Sequence, residues 1–176
     1  MLKDKQLIIK PLDLLLAIKL VVNKDEDFGI ARLADEFQVS VSTIHGSLAR
    51  AEAARLLSRS SGSARGIRPS LQEFAISGVK YAFPAVIGRA TRGVPTAIGA
   101  PILAQHFEAT PDAIVPVWPH PEGKTFGFEV VPLHPSVPTV ALKDAAFYEV
   151  LALVDAIRVG AARERELAIH ELKAKL

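Results

Sequence analysis

Residues 29–50 read GIARLADEFQVSVSTIHGSLAR, and this stretch decides the fold of the N-terminal part of the chain. Four apolar residues fall on one face of a helix over about residues 29–37, namely Ile30, Leu33, Ala34 and Phe37. Ser40 is a favoured N-cap residue and begins a second helix that runs towards residues 56–57. The inward residues of this second helix are Ile44, Leu48 and Ala51. The stretch therefore predicts two short helices joined by a tight turn.

The same stretch has the spacing of a helix-turn-helix. Ala34 is small at the point where the second helix crosses the first closely, and Val39 is the apolar residue of the turn. Ile44 is an inward β-branched residue four positions after the Ser40 cap. Gln38 replaces the common turn glycine, at a position where a left-handed backbone is uncommon for such a residue.

The flanking segments fit the same arrangement. A helix that starts near Pro11 precedes the motif and is apolar on more than one side. The segment Ser58–Arg68, which follows the motif, is polar, small and basic. Its flanks are too short and polar to predict a clear two-stranded hairpin, so a plain loop stays open. A further helix is expected between Pro69 and Pro84.

Residues 10–68 resemble the helix-turn-helix domain of bacterial transcription regulators, particularly winged types of the MarR and Lrp kind. Those families carry a wing where this chain has Ser58–Arg68. The resemblance implies a winged helix-turn-helix that binds DNA. The remainder is similar to uncharacterised small bacterial proteins that pair such an N-terminus with the segments found here at Tyr81–Pro84 and Thr91–Thr96. That second resemblance implies no activity.

A recognition helix that begins at Ser40 would place its N-terminal turn and one face in the major groove. Ser42 and His45 could bond base edges there, and Val41 could contact a thymine methyl group. The arginines of the motif and of the segment after it are expected to bind phosphate. The complete predicted DNA-binding set is Ser40, Val41, Ser42, Thr43, His45, Gly46, Arg50, Arg59, Arg65 and Arg68.

Charge also favours an anionic partner near this motif. The chain of 176 residues carries 21 Lys and Arg against 19 Asp and Glu, so its net charge of +2 implies no partner by itself. Residues 38–100, however, hold eight basic residues against only Glu52 and Glu73. Seven of the eight are arginine, whose fork suits phosphate oxygens. A solvated basic surface is the alternative reading.

Prolines mark out the C-terminal part, where ten of the twelve lie between Pro84 and Pro138. Strands are predicted at Ala113–Trp118 and Thr125–Leu133, joined by a hairpin turn. Each contains a proline, so both are expected at an edge or in irregular structure. The Gly88–Gly93 segment reads as a basic loop. Its Arg89, Thr91 and Arg92 could bind an anion, although an ordinary basic loop is the favoured reading, because the strand–loop–helix context and the lysine of a P-loop are missing.

Two helices are expected to close the chain. Asp144 caps the first, in which Phe147, Val150, Leu151, Val154 and Ile157 recur at helical spacing. Gly160 separates it from the charged helix Ala161–Leu176. The apolar run is wide enough to leave surface for a partner, so we expect these helices to form a dimer or partner contact. Packing of the last helix on its own chain is the alternative.

Other classes of function are excluded or lack candidates. Zero cysteines exclude disulfides, thiolate nucleophiles and Cys-ligated metal sites. The five histidines lack metal-ligand spacing, so neither metal nor cofactor is expected. The sequence has no nucleophile-elbow pattern and no paired-carboxylate pattern, so an enzyme is not predicted. The chain lacks an apolar window of 18 residues, and its N-terminus lacks the pattern of a signal peptide. We therefore expect a soluble, cytoplasmic protein with no membrane contact.

The predicted fold class is mainly α (α+β). Residues 1–83 are expected to form a winged helix-turn-helix DNA-binding domain, and residues 84–176 a small proline-rich α+β dimerisation or partner region that ends in two helices. The predicted function is sequence-specific regulation of transcription by a dimeric repressor on double-stranded DNA. The alternative is an antitoxin-like interaction module that neutralises a partner protein and regulates its own operon. An enzyme that uses the Arg89–Arg92 loop is a third hypothesis.

Overall fold

A computed structural model describes residues 6–60, 62–108 and 113–176. Its chain divides into two compact units, residues 1–71 and 72–176, and both mix helices with strands. The boundary expected from the sequence was residue 83. Residues 1–5, part of the N-terminus that lacks the pattern of a signal peptide, lie outside the described residues. None of the helices in the described ranges is long and apolar enough to cross a membrane.

The first unit opens with helix α1, Pro11–Val22, which begins at the predicted proline. Every residue from Leu12 to Val21 is buried, so the helix is covered on all sides. This explains why its sequence is apolar on more than one side. It also means that Asp13 and Lys19 lie in the interior, where each charged group needs a partner.

Helices α2, Ile30–Phe37, and α3, Val41–Ala53, confirm the two predicted short helices. Gln38 ends α2 in the left-handed conformation, with φ 55° and ψ 46°. Ser40 caps α3, since its Oγ accepts a hydrogen bond of 3.1 Å from the N–H of Thr43. Gln38 therefore adopts the left-handed conformation that the common turn glycine has at this position.

Helix α3 ends earlier than predicted. Its last residue is Ala53, and Arg55 adopts a left-handed φ of 58° that ends the helical run. Leu57 is consequently not helical: it begins strand β1, Leu57–Ser60. The expected continuation to residues 56–57 is thus wrong, because the chain turns sharply to enter a strand.

The polar segment after α3 is a two-stranded hairpin rather than a plain loop. Strand β2, Ser63–Gly66, pairs antiparallel with β1, from Leu57 opposite Gly66 to Ser60 opposite Ser63. Gly66 lies so close to α1 that a Cβ would stand 2.5 Å from the Ala17 carbonyl oxygen. A glycine is therefore required where the hairpin base packs on α1.

The predicted helix before Pro84 is confirmed, with one irregularity. It consists of α4, Arg68–Glu73, a π-helical turn over Phe74–Gly78, and α5, Val79–Ala82. The division between the two units falls within α4. A π-helical turn has more residues than an α-helical one, so it shifts which residues face inward.

The second unit contains three strands that close on one another: β3, Ile87–Pro95, β4, Val115–Pro119, and β5, Thr125–Val130. Strand β3 pairs antiparallel with β4 through its C-terminal end and with β5 along most of its length. Strands β4 and β5 pair in parallel. Short helical segments follow β3: a 3₁₀ turn at Ala97–Gly99 and α6, Pro101–Ala104.

Two sequence predictions for this region are wrong. Strands β4 and β5 do not form a hairpin, because β3 is the antiparallel partner of both. The segment Gly88–Gly93 is not a loop, because it forms most of β3. Gly93 makes this pairing feasible, since a Cβ there would collide with the Trp118 carbonyl group. The sequence of β3 lacks alternating apolar residues, so its pairing with β4 and β5 could not be predicted from it.

Three helices complete the unit: α7, Val137–Lys143, α8, Ala145–Val159, and α9, Ala162–Lys175. Asp144 caps α8 as predicted, through its Oδ1 and the N–H of Phe147 at 3.0 Å. Val150 to Ile157 are all buried, so this run of α8 lacks the exposed apolar surface that was expected. A dimer or partner contact by the last two helices stays a prediction. Helix α9 packs on α8 and buries Ala168 and Leu172.

A buried polar network fixes the centre of this unit. Asp155 of α8 accepts hydrogen bonds from Trp118 Nε1 at 2.6 Å, Thr96 Oγ1 at 3.0 Å and Arg158 Nη1 at 2.6 Å. Burial raises the pKa of Asp155, while the three donors oppose that shift. The lone tryptophan is therefore a core residue. Arg158 in turn donates to the Phe83 carbonyl oxygen at 2.9 Å, which ties the end of α5 to α8.

Candidate nucleic-acid interface

One face of α3 is open to solvent. Val41 has 47% of its surface exposed, and Ser42, Thr43 and His45 are exposed as well. Ile44, Ser47, Leu48 and Ala51 form the opposite, buried face. The helix thus presents short polar and apolar side chains along its first two turns, while its other side is fixed in the core.

The first turn of this helix carries a cluster of hydroxyl groups. Ser40 Oγ lies 2.9 Å from Ser42 Oγ and 2.8 Å from Thr43 Oγ1. All three side chains are exposed and adjoin the helix N-terminus. A helix N-terminus favours negative charge, so hydroxyl donors at this position suit a phosphate or a base-edge acceptor.

Arg50 has an intramolecular partner. Its Nε and Nη2 donate to the two carboxylate oxygens of Asp13 at 2.8 and 2.7 Å. Ser47 Oγ donates to the same carboxylate at 2.5 Å, and the Lys10 N–H does so at 2.8 Å. Gly46 is half-buried beside this arginine. A Cβ at this position would lie 3.4 Å from Arg50 Nη1, which is an ordinary van der Waals contact. The structure therefore assigns Arg50 to holding α3 against α1 rather than to a phosphate.

A second buried ion pair positions α2. The ammonium group of Lys19 in α1 lies 2.9 Å from Glu36 Oε2 and 5.2 Å from the centre of the Phe28 ring. Arg32 covers the same ring at 4.1 Å and pairs with Glu36 and Glu26. These contacts connect α1, α2 and the turn between them, and so fix the position of α2 on α1.

Arg59 of the hairpin pairs with Glu52 near the end of α3. Its Nε donates to Glu52 Oε2 at 2.8 Å, and both side chains are more than a third exposed. Hydrogen bonding from Arg59 holds the pKa of Glu52 below its ordinary value. The pair connects β1 with α3, and it leaves Arg59 only partly able to serve an external phosphate.

Arg65 lies opposite Ser58 in the hairpin and is exposed. Within the described ranges, its guanidinium forms no ion pair with a carboxylate. Arg68, at the start of α4, is exposed as well. Arg65 is therefore the best placed of the predicted phosphate ligands.

A groove of about 450 Å³ separates β2 from the turn after α1. Arg65, Arg68 and Lys24 line it together with three acidic residues of that turn, Asp25, Glu26 and Asp27. Because the two signs of charge balance around it, the groove has no evident preference for an anion or a cation.

The other predicted anion site falls in the second unit. Arg89, Thr91 and Arg92 lie in β3 rather than in a loop. Thr91 pairs with Gly127 of β5, and Arg92 pairs with Phe126. Alternation along a strand separates Thr91 from Arg92, so the three side chains do not converge on one anion.

Sequence reasoning missed the acidic partners of this interface, Asp13 and Glu52. In the sequence, Asp13 lies within a leucine-rich segment. The apolar residues around Asp13 were the signal that its carboxylate is buried, and a buried charge requires a partner. Nothing in the sequence marks which distant basic residue supplies it.

Comparison with models of protein families, with curated proteins and with solved structures finds no match to this chain. The geometry of the described residues is therefore the basis for proposing a function.

Proposed function

We propose that the chain binds double-stranded DNA through a winged helix-turn-helix and regulates transcription. The observation that carries the proposal is the exposed face of α3, which begins at the Ser40 cap and is followed directly by the β1–β2 hairpin. An exposed helix of this length fits the major groove, and an adjacent basic hairpin suits the neighbouring backbone. In this proposal α3 is the recognition helix and the hairpin is the wing.

The charge of these elements supports the proposal. Residues 41–68 contain five arginines and a single acidic residue, Glu52. Arg50 is committed to Asp13, but Arg59, Arg65 and Arg68 lie on or beside the hairpin. Phosphate contacts from such side chains give affinity without sequence preference and depend strongly on salt.

Base recognition would rest on Ser42, His45 and Val41. Their side chains are short apart from His45, and no exposed arginine, asparagine or glutamine lies at the centre of the face. We therefore expect modest base readout per monomer. A two-fold dimer on two half-sites would supply the remaining specificity, as it does for helix-turn-helix proteins in general, and such a dimer would act as a cytoplasmic repressor.

The test is fluorescence anisotropy on the DNA upstream of the protein's own coding sequence, with an unrelated duplex of equal length for comparison. Ser42→Ala and His45→Ala should each lower the preference for the cognate duplex by about 1–3 kcal/mol. Arg65→Ala with Arg68→Ala should weaken binding to both duplexes alike. Equal binding of all variants to both duplexes would overturn the assignment of α3 and the hairpin.

An antitoxin-like interaction module is the second candidate function. It is favoured by large exposed apolar side chains in the second unit, among them Tyr81, Val86 and Ile114. In this case the protein should form a stable complex with the product of the adjacent gene and suppress its toxicity on co-expression. Growth inhibition that persists on co-expression would exclude this role.

A further inference from the structure

The outer face of the β3–β5 ribbon combines aromatic and basic side chains. Arg92 lies directly opposite Phe126, and Ala90 lies directly opposite Phe128. Directly opposed residues share one face of a sheet, and residues two apart on a strand share it too. Lys124 is exposed and lies immediately before β5, two residues before Phe126. We call these five residues the β3–β5 platform.

The aromatic side chain at the centre of the platform is open. Phe126 has 58% of its surface exposed, and Phe128 beside it is half-buried. The residue diagonal to it, Ala90, is too small to cover the ring. Exposing a phenylalanine in this way forgoes hydrophobic stabilisation, so the ring is available to an external partner.

The basic side chains around this ring are also uncommitted. Among the described residues, Arg92, Lys124 and the neighbouring Arg89 form no side-chain hydrogen bond and no ion pair. Two other basic residues of the same unit are paired with carboxylates: Arg158 with Asp155, and Lys175 with Glu149. The platform therefore offers positive charge beside an open aromatic face.

We propose that the β3–β5 platform binds single-stranded nucleic acid, with a base stacked on Phe126 and phosphates held by Arg92 and Lys124. Neighbouring strands are about 4.8 Å apart, so the guanidinium and the ring are close enough to serve one nucleotide. Stacking accepts any base, and the cations follow the backbone, so the site is tolerant of sequence. A duplex hides its base faces and does not fit this chemistry.

This inference does not depend on the proposed duplex-binding site, which uses other residues in the other unit. The test is anisotropy of the full chain with labelled dT15, U15 and a 15-base-pair duplex. Similar affinities for dT15 and U15 would indicate a site that does not distinguish deoxyribose from ribose. A clear preference for one of the two would identify DNA or RNA as the ligand.

Phe126→Ala should weaken single-strand binding by about 5- to 150-fold, and Phe126→Tyr should retain it because the stacking face remains. Arg92→Ala with Lys124→Ala should reduce the log–log salt slope by about 1.4. Leu142→Ala with Lys143→Ala is the matched control, since it removes one exposed apolar and one exposed basic side chain from α7. Melting curves of each variant verify that it is folded.

Single-strand binding that is absent at low salt, or that survives all platform substitutions, would overturn the proposal. A change in molar mass by light scattering on Phe126→Ala would also overturn it, because the platform would then be a contact between copies of the chain. Displacement of dT15 by polyglutamate in both wild type and Phe126→Ala would indicate an acidic-peptide site instead. Arg65→Ala separates the two sites: it should reduce duplex binding and leave dT15 binding intact.

Discussion

Asp13 of α1 is fully buried and binds Arg50 of α3 through both of its carboxylate oxygens, at 2.8 and 2.7 Å. The two residues are 37 positions apart, and the bidentate geometry fixes both the position and the rotation of α3. Since Val41 and His45 lie on the opposite, exposed face, this ion pair determines how the helix presents them.

Asp13→Ala should therefore be strongly destabilising. It leaves the Arg50 guanidinium partly buried without a counter-charge, which costs about 3–5 kcal/mol in comparable buried pairs. Urea denaturation measures the loss. The matched control is Asp35→Ala, which removes an exposed acid from α2 and should change the free energy of unfolding by less than about 0.5 kcal/mol. Equal effects of the two variants would show that the buried pair does not hold α3.

Gln38 provides a test of the turn. Its φ of 55° lies in the left-handed region, which costs about 1–2 kcal/mol for a residue with a side chain. Gln38→Gly should raise the free energy of unfolding, and Gln38→Val should lower it, because a β-branched side chain tolerates this region worst. Denaturation midpoints at constant m-value are the measurement. If the turn lacked left-handed geometry, Gln38→Val would be more stable than Gln38→Gly.

Glu52 should restrain the affinity of the proposed wing for DNA. Glu52→Gln removes the charge that holds Arg59, and the freed guanidinium can bind one more phosphate. Duplex affinity should rise, and the log–log salt slope should steepen by about 0.9.

The control for Glu52→Gln is Asp35→Asn, which makes the same change in net charge on the exposed surface of α2. It should leave the salt slope unchanged. Weaker duplex binding by Glu52→Gln would mean that the ion pair positions the hairpin rather than competing with phosphate.

His134 should contribute a pH dependence to stability. Burial lowers its pKa from the ordinary 6.5, and its Nδ1 accepts a hydrogen bond from the Ser136 N–H at 3.3 Å, which requires an unprotonated nitrogen. As pH falls below about 6.5, the unfolded chain takes up the proton first, so the folded state loses stability until the lowered pKa is reached. His134→Gln should flatten this part of the stability–pH curve. An unchanged slope between pH 7 and 5 would contradict the assignment.

Much of the fold was predictable because its signals are local. The Ser40 and Asp144 caps, the turn at Gln38 and the helix start at Pro11 each depend on residues within one helical turn. The apolar face of α2 was visible for the same reason. The DNA-binding role of α3 stays a prediction, since the local pattern indicates the helices but not their partner.

The missed features depend on contacts between distant residues. Strand β3 contains Gly88, Arg89, Arg92 and Gly93 and lacks apolar alternation, so it reads as a loop. Its pairing becomes evident only when β4 and β5 lie on either side of it. The role of Arg50 was misjudged because its partner, Asp13, precedes it by 37 residues. Basic composition alone cannot separate a phosphate ligand from a buried ion pair.

The most direct test of the account is NMR mapping of duplex binding on the uniformly ¹⁵N-labelled full chain, using the upstream DNA fragment. Amide shift changes should be concentrated on residues 40–46 of the α3 face and on the hairpin near Arg65, with little change in the second unit. Titration without any shift changes, or changes that spare α3 and the hairpin, would contradict the claim that this chain reads duplex DNA with α3.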